Sequence, residues 1–132
     1  MSKIHRRLII SVAVVLLLIS SSLAFTVDIR ANDKIGKYLV NEKGMTLYYC
    51  ANDRPKISTC YESCAATWPP FQAEWIDIPN EISYQDFDEI GRVEGIYQTT
   101  YKSMPLYLYT GDHDPGVING EGIDGIWFAV RL

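Results

Sequence analysis

Cys50, Cys60 and Cys64 are the residues of this 132-residue chain with the most distinctive chemistry. A thiol can pair, bind metal or attack as a thiolate, and its compartment decides among these. The stretch Cys60-Tyr-Glu-Ser-Cys64 lacks the two-residue spacing of a thioredoxin-like motif, and no Cys-x-x-Cys-His haem run is present. Three cysteines allow three single pairings and leave one thiol over. A spacing of four brings Cys60 near Cys64 in a helical turn, although an ideal helix strains such a bridge. Cys50 reads either as a small buried hydrophobe or as a partner of Cys60 or Cys64.

Metal and hydrolytic chemistry have fewer residues to draw on. Asp112, His113 and Asp114, with Asn119, Glu121 and Asp124, gather oxygen ligands on one loop that could suit a hard cation. The EF-hand template fails there. With Asp112 as position one, the required Gly is Val117 and the terminal Glu is Ile123. A solvated acidic loop is therefore the expected state, and no cofactor is expected. Met45 and Met104 could join the thiols in a soft copper site, but core packing explains them more cheaply. Apart from His5 near the start, His113 is the sole histidine, and no Gly-x-Ser-x-Gly elbow occurs. The chain is not expected to be an enzyme. Nine Tyr and three Trp can form a stacking surface, though in a small β domain they usually build the core.

The elements that hold these residues come twice. Gly44-Met-Thr-Leu-Tyr-Tyr-Cys-Ala-Asn-Asp53 recurs, rewritten, as Ser103-Met-Pro-Leu-Tyr-Leu-Tyr-Thr-Gly-Asp112. A shift of 59 positions superposes Tyr38 on Tyr97, Leu47-Tyr48 on Leu106-Tyr107, Asp53 on Asp112 and Trp68 on Trp127 without a gap. Two such units predict one domain with pseudo-twofold symmetry rather than a solenoid. Within each motif the residues alternate, so Leu47 and Tyr48 fall on opposite faces of a strand, as do Leu106 and Tyr107. Asn52-Asp53 and Gly111-Asp112 then end it. The two Asp residues read as turn formers bonding backbone N–H groups, or as a pair of ligand-facing carboxylates.

Residues 1–24 read as a signal peptide, with a basic start, an apolar run and small residues before a cleavage point, or else as an N-terminal anchor. They carry three of the 12 basic residues and no acid, so the remainder has a charge of 9 − 16 = −7. That charge repels phosphates and argues against nucleic acid as a partner. Residues 25–37 have mixed polarity and read as a linker, so membrane contact is expected only through residues 1–27 if they are uncleaved. Residues 38–132 read as a single β-rich domain with repeat units near 38–78 and 97–132. Tyr38–Asn41 and the first motif strand predict one hairpin, Tyr97–Tyr101 and Met104–Tyr109 a second, and Ile126–Val130 a closing strand. Phe71–Ile78 alternates weakly as a further strand, and Phe87 with Ile90 suits a turn of helix. Ala65–Trp68 predicts a short helix after Cys60, stopped by Pro69-Pro70. The fold class is all-β with that helix, a small sandwich or barrel built from two hairpin repeats.

Tyr107-Leu-Tyr-Thr-Gly-Asp112 fits a Yx(F/W/Y)xxD signature, and here the chain resembles a family of predicted secreted lipoproteins described as secreted repeats of unknown function. Tyr48-Tyr-Cys-Ala-Asn-Asp53 departs from it at Cys50. Cys60 to Pro70 and Gly120 to Trp127 are also similar to that family. The resemblance implies a Cys60–Cys64 disulfide and an extracytoplasmic location. A lipid-modified Cys near the cleavage region, common in the family, has no counterpart here. The expected role is an exported, non-enzymatic binding module in the cell envelope or outside the cell, with an unknown partner. Tyr48, Asp53, Trp68, Tyr107, Tyr109, Asp112 and Trp127 are the candidate contact residues, presented by the two acidic turns. The alternative is an extracytoplasmic redox or metal protein using the thiols, the Met residues or His113.

Overall fold

The computed structural model describes residues 24–132. The expected signal peptide or anchor over residues 1–24 therefore lies almost wholly outside the described residues. Seven strands form three small antiparallel sheets, with one short helix. This bears out the all-β class, although the sheets do not close into a barrel. β1 (Val27–Asn32) pairs with β2 (Gly36–Asn41), and β3 (Tyr48–Cys50) pairs with β7 (Trp127–Ala129). β4 (Phe87–Gly91), β5 (Tyr97–Tyr101) and β6 (Met104–Pro105) make the third sheet.

Residues 25–37 are not a linker. Val27–Asn32 is an edge strand, and Asn32 Oδ1 closes the turn by accepting from the Lys34 and Ile35 N–H groups. Only Val27 of this strand is fully buried, so the apolar/polar alternation that announces a strand is missing. The same correction applies to Phe87 and Ile90, which lie on β4 rather than on a turn of helix. Both repeats thus start earlier than the motif suggests: β1–β2 and β4–β5 are equivalent hairpins. The run Phe71–Ile78 forms no strand. Phe71 instead bridges two neighbours, its N–H bonding Leu106 O and its carbonyl accepting from Thr99 N–H.

The hairpin between β2 and the first motif turns at Glu42–Gly44. Asn41 Oδ1 accepts from the Lys43 and Met45 N–H groups there, and Gly44 takes φ 78°. In the second hairpin Lys102 and Ser103 both adopt left-handed angles, φ 48° and 70°, as a two-residue hairpin loop requires. β6 ends at Pro105, so the motif strand is shorter than the expected Met104–Tyr109. Beyond it the chain continues through single ladder pairs, Tyr107 opposite Tyr48 and Tyr107 opposite Pro70.

The alternation of the motifs holds. Leu47 and Leu106 enter one core with Val27, Leu39, Phe71 and Val130. Tyr48 and Tyr107 enter a second with Cys50, Cys60, Trp68 and Trp127. α1 (Ser63–Thr67) lies one turn after Cys60, and Trp68 N–H closes it onto Cys64 O before the two prolines.

Candidate functional site

The two motifs meet on the pseudo-dyad. Tyr48 N–H bonds Tyr107 O at 2.8 Å, and Tyr107 N–H bonds Tyr48 O at 2.9 Å. Each tyrosine therefore pairs with its own duplicate. Their side chains cross in the same way: the Tyr48 hydroxyl donates to Asp112 Oδ2 at 2.6 Å, and the Tyr107 hydroxyl to Asp53 Oδ2 at 2.6 Å. The second oxygen of Asp53 accepts from Thr59 N–H and Oγ1, and that of Asp112 from Asn119 N–H. Both carboxylates are buried. They are thus turn residues, closed on one oxygen by nearby donors and on the other from across the molecule, and the expectation that they face a ligand is corrected.

Burial, reinforced by the adjoining carboxylates, holds the Tyr48 and Tyr107 hydroxyls well above the usual phenol range. Burial also raises the Asp112 carboxyl, against the lowering pull of the Tyr48 hydroxyl and the Asn119 N–H. The surrounding rings are closely packed. Trp68 and Trp127, duplicates of one another, stack at 3.9 Å with 2° between their planes, and Tyr109 stacks on the far face of Trp68 at 4.3 Å. Tyr48 stands edge-on to Trp68, and Tyr107 edge-on to Trp127. Cys50, the counterpart of Tyr109 in the repeat, belongs to the same cluster but brings no ring to it. Gly120 is required beside this cluster, because a Cβ there would lie 2.8 Å from both Trp68 and Tyr48. Tyr48, Trp68, Tyr107 and Trp127 are buried and Tyr109 is half-buried, so they hold the repeats together rather than line an open site.

Cys60 and Cys64 form the disulfide, and Cys50 is a free, buried thiol whose pKa burial pushes up. His113 and Asp114 are exposed, but Asp112 is buried with its oxygens bonded to the Tyr48 hydroxyl and the Asn119 N–H, and Glu121 bonds Ala129 N–H and Arg131. Among the described residues no group of three or more His, Cys, Asp or Glu is gathered around a point where a metal could sit. The proposed oxygen-ligand loop does not converge.

The open surface lies elsewhere. Two grooves, of about 510 and 520 Å³, are related by the repeat. One is lined by Lys43, Phe71, Gln72 and Leu108, the other by their counterparts Lys102, Val130, Arg131 and Tyr49. They have diverged: Trp75 and Glu74 extend the first, while Phe128 and Met104 make the second more apolar. The first groove leads to an exposed aromatic face that sequence reasoning did not single out. Trp75 is 64% exposed, Tyr84 67% and Tyr97 62%. They belong to the stretch between the motifs, where Glu74 to Glu94 holds seven acids and one base, Arg92. That imbalance was the available signal.

A family model described as a secreted repeat of unknown function matches the chain twice, over residues 30–72 and 90–131. The second match begins in β4 and the first in β1, in keeping with the equivalent hairpins. No curated protein and no solved structure matches the chain.

Proposed function

Because the chain belongs to this family of secreted repeats, we propose that it is an exported, non-enzymatic binding module whose contact face is the aromatic surface around Trp75, Tyr84 and Tyr97. One observation carries this reading: three large aromatic side chains, each more than 60% exposed, border connected grooves on one stretch of chain. Large exposed apolar groups in a cluster favour a partner over bare solvent. The exported location fits the disulfide and the family, and residues 1–24 would direct export, tethering the domain only if they stay attached. The face would meet an envelope or extracellular partner. The redox or metal alternative draws no support from Cys50, which is buried and unpaired with any second free thiol among the described residues.

The test is retention on isolated cell envelopes of the producing organism. Trp75→Ala, Tyr84→Ala and Tyr97→Ala should each lower retention while leaving the thermal midpoint within about 3 °C, since exposed side chains contribute little to stability. Retention unchanged in all three variants would remove this face from the reading.

A further inference from the structure

We infer that the aromatic face takes an extended, Lys- or Arg-bearing peptide segment of a partner protein; this deepens the binding reading above and rests on it. Two shallow grooves adjoin one another there, of about 260 and 290 Å³. Glu74 and Glu89 line both of them. Trp75 and Tyr84 border the first groove, and Tyr97 the second. Neither groove contains a Lys, Arg or His.

The charge there is unbalanced. Among the described residues Glu81 pairs with Lys37, Asp88 with Lys56 and Glu94 with Arg92, but Glu74 and Glu89 have no ion-pair partner. The one basic residue between Gln72 and Tyr97, Arg92, is buried and turned inward to Ser58, Gln98 and the Cys60 carbonyl. Two carboxylates on common grooves repel each other, and a cation relieves that where a neutral sugar does not. Exposed Trp and Tyr faces attract the same cation through their ring quadrupoles. Shallow grooves that adjoin along one face suit successive long side chains of a strand-like segment better than one enclosed compact ligand. The outer edge of β4 is partly closed, the Phe87 N–H bonding Tyr84 O and the Glu89 N–H bonding Asp88 Oδ1, so the segment is held by its side chains rather than by strand addition.

The experiment titrates the protein with an unstructured peptide of about eight residues alternating Arg and Gly, followed by Trp fluorescence and calorimetry, at low and moderate salt. The expected result is saturable binding that weakens with salt. It should fall about tenfold in Glu74→Gln/Glu89→Gln and in Trp75→Ala, but stay unchanged in Asp124→Asn, an exposed carboxylate outside these grooves. An equal loss in Asp124→Asn would mean that only net charge is sensed, and would overturn the inference. So would binding of a neutral oligosaccharide at this face in place of the peptide. If the peptide fails to bind while Trp75→Ala still abolishes envelope retention, the cationic ligand is wrong and the binding face survives. If both fail, the binding reading falls with it.

Discussion

Removing the hydroxyl of Tyr48 should cost more than removing that of its duplicate, Tyr107. Each hydroxyl donates to a buried carboxylate at 2.6 Å, a bond to a charged group worth about 1.5–3 kcal/mol. What each leaves behind differs. In Tyr107→Phe, Asp53 keeps the Thr59 N–H and Oγ1 donors, and Ser58 keeps Arg92 and Cys60 N–H. In Tyr48→Phe, Asp112 keeps the Asn119 N–H alone. The buried Gly120 N–H, which bonds the Tyr48 hydroxyl at 3.1 Å, also loses its acceptor. An orphaned buried donor adds about 1–3 kcal/mol. The expectation is a loss of about 2 kcal/mol for Tyr107→Phe and about 4 kcal/mol for Tyr48→Phe. Denaturant unfolding gives both values, and the unchanged slope would confirm that the same surface is exposed. At about 4–8 °C per kcal/mol for a domain of this size, the two variants should melt at least about 8 °C apart. Equal losses, or losses below about 0.5 kcal/mol, would refute the crossed tyrosine–carboxylate arrangement.

Three further outcomes follow from the same interior. The folded-state pKa values of Tyr48 and Tyr107 are raised, so their contribution is whole below the unfolded value near 10 and is lost as pH climbs from there through the folded values. Stability should fall by about 3 kcal/mol per pH unit from the pair, and tyrosinate absorbance should show both ionising only as the fold is lost. Cys50 should resist a thiol reagent at pH 8 in the native state and react at the unfolding rate, because it is buried and its thiol pKa is raised; native labelling within seconds would contradict its placement. Gly120→Ala should destabilise by about 1–3 kcal/mol through overpacking against Trp68 and Tyr48, read from the denaturation midpoint.

The parts of the fold visible in the sequence were those with local causes. Alternation through Leu47–Cys50 and Leu106–Tyr109 sorted residues between the two cores, and the repeat marked Trp68 and Trp127 as equivalent positions, although not that they stack on one another. Pro69-Pro70 marked the end of the helix. What escaped has non-local causes. β1 and β4 are edge strands in which only Val27 is fully buried, so neither face demands a regular apolar alternation. Phe71 is held by Leu106 and Thr99 rather than by a strand partner near it in sequence. Asp53 and Asp112 sit in turns, as their type suggests, and one oxygen of each takes donors from nearby Thr59 or Asn119, but the tyrosine hydroxyls that fill the other oxygen lie 54 and 64 residues away, and no nearby pattern reports them. Whether a Trp serves core or surface depends on which side of the chain the core forms, and Trp68 and Trp75 divide on that point.

The ladder pair in which Tyr48 faces Tyr107 is self-complementary, and this bears on how such a molecule could have arisen. Each half leaves one oxygen of its carboxylate and one face of its indole for the other to close. A polypeptide carrying one such unit would meet those needs by joining a second copy through an isologous contact, making a homodimer with the same crossed bonds. Tandem fusion of two copies would preserve that contact, free each half to drift, and leave matched grooves with unlike linings.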